Sequence, residues 1–437
     1  MEKQVLKIQY RFQMIIDLVK TKNFGYLFIK VRHSLFARIK RFSSSIVSIT
    51  TPRLAKEIEF FFKNKNFTKV TELYEQNSVA KISPDILKMV AKSYKRLERF
   101  NKHTALLTLV LEQSAQLSVD EIVAISKRNL DNSNLIVSSF EIINSKGGEA
   151  NLGIIYHRIN DKIIYVTKIK DMKNSFVHVE KHFYIDLLKR HSLLDNHSPK
   201  FIDYLDVPNS NLSLLTMEFI DGNPASINDW DKIEEFQSNL SKINYENNSS
   251  KYLDRSILIR NSYSIKLEYI DAIERIERFL KERYPSDLIY DDIKYLKSVI
   301  LDKQHIKALL NKNHFVLQHR DFNPTNVLIN KMTGNPIAID WSSVRFDLIG
   351  MDLVLISIFF GLSYNEVTNK VIQKLKIHIP NTYIEVGTYL TIYYIAHKTK
   401  VVNILPDIDL SFEEWDDAIS FIRGLHESKE VNRILGS

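Results

Sequence analysis

Apolar positions along the chain change their spacing near residue 133, and that change divides the sequence. Before it the spacing is helical. In NFGYLFIKVRHSLFARIKRF, Phe24, Phe28, Val31, Leu35, Ile39 and Phe42 recur every three or four residues, with Lys30, Arg32, Arg38, Lys40 and Arg41 mostly to the sides. Residues 51–132 read as helices throughout. Ser83-Pro84-Asp85 marks a helix start with proline at the first helical position. KNKNFTKVTELYEQ is echoed by KRLERFNKHTALLTLVLEQ, with Phe67 and Phe100 as corresponding anchors 33 residues apart. Two imperfect copies predict a small antiparallel helical domain, suited to docking a protein partner.

From residue 133 the runs become strand-like. NLIVSSFEIINS, GIIYHRI and KIIYVTKIK follow one another, the first two separated by the turn SKGGEAN, as in an antiparallel meander. SFVHVEKHFYIDLLKRH then carries a helical stripe of Phe176, Phe183, Tyr184 and Leu187, and NLSLLTMEFIDG reads as a strand ending at Gly222. Most of the remainder is helical. The expected divisions are a basic segment at 1–50, a helical domain at 51–132, a strand-rich lobe at 133–222 and a helical lobe at 223–437.

Composition narrows the class. With 437 residues, 44% hydrophobic and 26% charged, the chain suits a soluble protein of two or three domains. The absence of cysteine removes disulfides, thiolate nucleophiles and cysteine-bound zinc. No secretory signal or spanning helix is evident, so a cytoplasmic location is expected, where ATP is available. The net charge of +8 resides in residues 1–50, which hold ten Lys/Arg against two Asp/Glu. The basic stripe at 24–42 could lie on an anionic membrane, enter a partner's groove or pack on the next domain. It carries no nucleic-acid reader motif, and nucleic acid is not an expected partner.

The candidate chemistry begins at QHRDFNPTNVLIN, residues 318–330. His319-Arg320-Asp321 is followed after four residues by Asn326, and Ile339-Asp340-Trp341 places a second aspartate nineteen residues after the first. Asp352 follows in IGMDL. On these motifs, residues 133–437 resemble the aminoglycoside phosphotransferase and choline kinase superfamily, the small-molecule relatives of protein kinases. The resemblance implies an α+β, bilobal protein-kinase-like fold, here preceded by an all-α domain. It also implies transfer of the γ-phosphate of ATP, with Mg²⁺, to a hydroxyl or amine of a small molecule.

Phosphoryl transfer needs a held acceptor, a group to take its proton and cations to neutralise charge. Asp321 is the expected base and Asn326 a Mg²⁺ ligand. Asp340, after the apolar Ile337, Ala338 and Ile339, would chelate metal at a strand end. His319 is expected to hold the loop by hydrogen bonding, and Asp352 to brace it.

Lys168 shares a strand face with Ile164, Val166 and Lys170, and is the candidate for gripping the α- and β-phosphates; a solvated edge lysine is the bland alternative. Glu180 lies on the apolar side of its helix, where pairing with Lys168 would relieve the cost of burial. Gly147 and Gly148 could offer backbone N–H groups to phosphate, as any hairpin turn could. The resemblance puts Met217 behind the adenine and the backbone of Glu218 and Ile220 against the base.

Arg320 matches the protein-kinase spelling of the loop. Asp-Trp-Ser at 340–342 and only eleven residues between Asp340 and Asp352 do not, since they leave no room for a peptide-docking segment. An atypical protein kinase and a pseudokinase scaffold remain the alternatives. Carboxylates beside Trp230 or Trp415 could bind a cationic amino alcohol or amino sugar, or they could simply suit a helix's first turn, as in the capping box Ser411-x-x-Glu414. With the basic segment on a membrane, the acceptor could be a sugar or alcohol group of a glycan or lipid precursor.

Overall fold

The computed structural model describes residues 52–77, 82–130, 133–142, 151–172, 175–244, 262–284, 286–311, 314–402 and 408–435. The basic stripe at 24–42 and the turn holding Gly147 and Gly148 lie outside them. The fold is α+β: helices come first, and a five-stranded sheet and further helices follow. The sheet has the order β1-β2-β3-β5-β4, with β1 Val137–Glu141, β2 Asn151–Ile159, β3 Lys162–Asp171, β4 Phe201–Asp206 and β5 Leu212–Glu218. Packing divides the chain into two units. Of the described residues, the first holds those up to Tyr156, with Lys168–Asp171 and Leu205–Leu214, and the second His157–Thr167, Met172–Tyr204 and those from Leu215 onward.

The first unit contains α1 (Pro52–Lys63), α2 (Phe67–Gln76), α3 (Pro84–Arg96), α4 (Phe100–Ala115) and α5 (Val119–Lys127). Local signals set their starts. The Asn66 side chain accepts from Lys69 N, Pro84 occupies the first turn of α3, and Ser118 with Glu121 forms a full capping box. α4 is apolar on two sides. Leu106 and Val110 join the core of α1–α3 with Ile58, Val70, Val90 and Tyr94, whereas Leu111 and Ala115 join Ile122, Ile155, Ile169, Leu212 and Leu214.

This packing differs from the division expected at residue 132, because strand side chains cover the second apolar face of α4. The expected repeat anchors also part company. Phe67 is half-buried against Phe62, while Phe100 is 50% exposed at the start of α4.

The second unit is built on one large apolar core. α6 (Ser175–His182) runs into a π-helical turn at Phe183–Leu187, which turns both Phe183 and Tyr184 inward. Strands β6 (Gly222–Pro224), β8 (Val327–Asn330) and β9 (Pro336–Ala338) form one small antiparallel sheet, and β7 (Phe315–Gln318) pairs with β10 (Arg345–Leu348) in another. Gly222 is required in β6, because a Cβ there would stand 2.9 Å from the carbonyl oxygen of Ile329. Around these lie α7 (Trp230–Ser241), α8 (Ser262–Arg283), α9 (Ser286–Leu301), α10 (Lys303–Leu309), α11 (Met351–Phe359), α12 (Tyr383–Val401) and α13 (Phe412–Leu435). α11 and α12 are buried nearly all round, as helices without a polar face must be. Together these elements hold the β7–β8 connection, residues 319–326.

Candidate active site

The β7–β8 connection is shaped by its own short polar side chains. Asn323 precedes Pro324, and its Oδ1 accepts from Thr325 N at 3.0 Å and Thr325 Oγ1 at 2.6 Å, an Asx-type turn. Asn323 Nδ2 donates to Asp321 Oδ1 at 3.1 Å, and Asn326 Nδ2 donates to Asp321 Oδ2 at 2.9 Å. The Asp321 carboxylate is exposed, with each oxygen aimed by one amide. Asn323 was not singled out in the sequence, although Asn-Pro after an aspartate is a turn signal that could have found it.

His319 lies behind this loop, fully buried. Its Nε2 donates to the carbonyl of Ile339 at 2.8 Å, and its Nδ1 faces the N–H of Asp321 at 3.4 Å. Those partners assign the neutral Nε2–H tautomer. Ile339 N donates in turn to Asn326 O at 2.8 Å, and Val327 opposes Ala338 across β8 and β9. Ile339 is thus gripped from both ends of the loop, and Asp340 is the next residue. Asp340 has φ +62, and Trp341 after it is fully buried, stacked on Phe183 at 4.0 Å with Nε1 bonded to Ala338 O at 2.8 Å. A side chain this large, fixed on both sides, holds Asp340 at the end of β9.

Asp352, in the first turn of α11, is completely buried. Its Oδ2 accepts from His319 N at 2.6 Å and Gln237 Nε2 at 3.3 Å, its Oδ1 accepts from Arg320 N at 2.9 Å, and its own N–H donates to Gln318 Oε1 at 3.0 Å. Burial raises its pKa, and the two main-chain donors and the Arg320 guanidinium limit the rise. Arg320 is nearly enclosed. Burial works against its charge, but Asp347, Tyr393, Tyr389 and Glu268 more than offset this and raise its pKa further above the ordinary arginine value.

Toward the sheet, Met217 is buried and accepts a contact from Tyr184 Oη at 3.6 Å. Burial, with the charges of Glu180 and Asp340, pushes the Tyr184 phenol well above its ordinary pKa. Tyr184 therefore sits among Met217, Glu180 and Asp340, a junction that the helical stripe alone did not reveal. Glu180 is itself fully buried. Glu218 N donates to Lys200 O at 2.9 Å and Phe219 N to Ile164 O at 3.0 Å. Among the described residues, no backbone bond formed outside helices and strands uses the N–H of Ile220. Lys168, in the part of β3 that belongs to the first unit, is buried, and so is Lys170.

The tryptophan sites expected for a cation are already filled. Trp230 is buried with Lys370 over its ring at 5.5 Å, and Glu234 is paired with Lys374. Trp415 is buried and donates to Asp292, which also holds Arg423 at 2.6 Å, while Glu414 is bound by Lys398. Neither ring offers a face to a ligand, because the chain supplies its own cations and buries the indoles in helix packing.

Residues 267–367, under a quarter of the chain, match the phosphotransferase enzyme family (APH). The matched segment contains His319, Asp321, Asn326, Asp340 and Asp352. No curated protein matches by sequence. Among solved structures, a choline kinase from Cryptosporidium parvum Iowa II is similar at 15% identity over 73% of this chain and 97% of that one, with a TM-score of 0.43. An aminoglycoside phosphotransferase bound to GDP and kanamycin is similar at 15% identity over 72% and 99%, with a TM-score of 0.44. An ethanolamine kinase from Plasmodium vivax is similar at 14% identity over 74% and 94%, with a TM-score of 0.39. The matched family model is one of those that the sequence motifs resemble.

Among the described residues no group of three or more His, Asp or Glu is assembled to hold a metal ion, and no helix is long and apolar enough to cross a membrane. Two oxygen donors, Asn326 Oδ1 and the Asp340 carboxylate, nonetheless fit Mg²⁺, which takes few protein ligands and fills its shell with phosphate and water oxygens.

Proposed function

We propose that the chain is a phosphotransferase that moves the γ-phosphate of ATP to a hydroxyl or amine of a small molecule. The observation that carries this reading is the grip on Ile339 from His319 and Asn326, which joins the loop bearing Asp321 to the strand end bearing Asp340. Asp321, exposed and aimed by Asn323 and Asn326, accepts the proton of the acceptor group. Asn326 spends its Nδ2 on Asp321, which leaves its Oδ1 for a cation. Mg²⁺, held by Asn326 and Asp340, would neutralise charge on the phosphates. Met217, with the backbone of Glu218 and Ile220, would receive the adenine.

The eleven residues after Asp340 favour a small acceptor over a peptide. They form the turn Trp341–Ser343, strand β10 and the start of α11, all bonded into the fold. The basic segment at 24–42 supports a finer reading, in which the acceptor is a sugar or amino alcohol of a glycan or lipid precursor at a membrane surface. Removal of residues 1–50 should then abolish binding to anionic liposomes; unchanged binding excludes that location.

The decisive experiment is Mg²⁺-dependent transfer from labelled ATP to metabolite, lipid and protein fractions, with Asp321→Asn and Asp340→Ala as controls. Labelling of a metabolite or lipid, reduced by about 10²-fold or more in both variants, supports the reading. Stabilisation by ATP without transfer to any fraction favours a pseudokinase instead.

A further inference from the structure

We propose that Arg320 is a positioning residue, paired inside the fold with Asp347, and that this pair sets the loop carrying Asp321 without any added phosphate group. Arg320 stands immediately before Asp321 with φ +68, a conformation an arginine rarely adopts, so its placement has to be enforced from outside. Two anchors enforce it. Its N–H is bonded to Asp352, and its side chain runs inward, with Nε 3.2 Å from Asp347 Oδ2, Nη1 3.0 Å from Met351 Sδ and the guanidinium 5.4 Å from the Tyr393 ring centre.

Asp347 is completely buried on β10. Its Oδ2 also receives Arg345 Nε at 2.8 Å. Arg345 reaches Glu268 at 3.7 Å, and Glu268 accepts from Tyr389 Oη at 3.0 Å. Asp347 therefore answers both arginines, Arg345 through a hydrogen bond and Arg320 through charge, while Glu268 takes part of the charge of Arg345. The Arg320 Nε contact has ion-pair distance without hydrogen-bond alignment, so attraction between charges, rather than a directed bond, joins the two. In kinases with a mobile activation segment, an added phosphate can supply such an anion to an arginine and order a loop. Here a carboxylate fixed in the β7–β10 ladder occupies that role permanently. Without it a buried cation would be left unpaired and would drag residues 320–321 toward water.

The kinetic arm of the test rests on the proposed phosphotransferase activity, and the exchange arm does not. In the full chain, Asp347→Asn should speed hydrogen exchange of the amides at 319–326 by about tenfold and lower kcat by about tenfold, with KM for ATP changed by less than about twofold. The double variant Arg320→Met/Asp347→Leu, which removes both charges, should regain most of both losses. Phosphatase treatment of the wild type should leave kcat unchanged. A single variant with wild-type exchange, a double variant no better than the single, or a loss on phosphatase treatment would each overturn the proposal. If Asp347→Asn does not fold, Arg320→Lys replaces it; that variant keeps the charge but not the planar fork, and wild-type loop exchange in it also overturns the proposal. A wild type that transfers nothing removes the proposed function alone, and loop exchange still decides the pairing.

Discussion

Replacing Asp352 by Asn changes one atom, and its cost can be worked from the bonds that atom makes. The carboxylate takes three donors: His319 N and Gln237 Nε2 on Oδ2, and Arg320 N on Oδ1. An asparagine keeps only one oxygen. Its best orientation leaves that oxygen to His319 and Gln237 and turns the new NH₂ toward the N–H of Arg320, donor against donor. The loss is one hydrogen bond to a charged acceptor, worth about 1.5–3 kcal/mol. Relief of the burial that raises the carboxyl pKa offsets part of it, so a net loss of about 1–2 kcal/mol is expected for the buried site. Asp352→Ala strands all three donors, two of them main-chain, and should cost about 2–5 kcal/mol, a large share of the roughly 5–15 kcal/mol that holds a domain folded. Urea unfolding measures both, provided the m-value is unchanged. Because the stranded donors belong to His319 and Arg320, kcat should fall with stability. An Asp352→Asn protein within about 0.5 kcal/mol of wild type, or an alanine variant no worse than the asparagine one, would refute the reasoning.

Three further outcomes follow from the second unit. Gly350 has φ +90, and a Cβ there would meet Leu390 at 3.1 Å and Leu375 at 3.3 Å; Gly350→Ala should therefore lose about 1–3 kcal/mol in thermal unfolding, and an unchanged Tm contradicts the strain. Lys398 Nζ lies 2.6 and 2.7 Å from the Glu414 oxygens in a largely buried pair, so Lys398→Met should cost about 3–5 kcal/mol by leaving the carboxylate unpaired, and a loss under about 1 kcal/mol would show that water reaches the site. Burial lowers the pKa of His314, against the charge of Glu385, and that of His197, against the carbonyl of Pro336 and Glu235. The unfolded chain then takes up protons that the folded one refuses. Stability is complete above the unfolded histidine value of about 6.5 and is lost as pH falls from there toward the lower folded values. His314→Gln should flatten that slope between pH 7.5 and 5.5, each an approximate bound set by the unfolded value, and an unaltered slope removes His314 as a contributor.

The parts of the molecule that were legible in the sequence are those set by local spacing. Ser83-Pro84 starts α3, because caps and turn residues act within a few positions, whereas the strand expected to run to Gly222 ends at Glu218 and Gly222 opens β6. The pairing of Asp321 with Asn326 was legible for the same reason, since the two lie close together in the chain. What escaped depended on pairing across distance. Asp347 was unremarkable until the register Asp347↔Val316 placed it in the ladder beside the loop. Asp352 was recognised, but its partner Gln237 lies 115 residues away. The tryptophan sites stayed open between two readings, because acidic residues near an indole look alike whether the indole faces water or a helix. The change of period at residue 132 marks a change of secondary structure and does not say which side chains share a core, so the strand residues packed on α4 were not legible.

The β7–β10 ladder has one more consequence, for where the chain can change length. Arg345 to Leu348 oppose Gln318 to Phe315 one for one, so a single inserted residue in β10 would flip Asp347 to the opposite face and uncouple it from Arg320. Lengthening the gene between the codons for Asp340 and Asp352 should therefore silence the protein. The turn between β8 and β9 is the reverse case. Met332 is 88% exposed there, and Gly334 at φ +71 closes the bend. A fluorescent reporter or affinity tag spliced into that turn would leave the loop on the far side of β8 undisturbed.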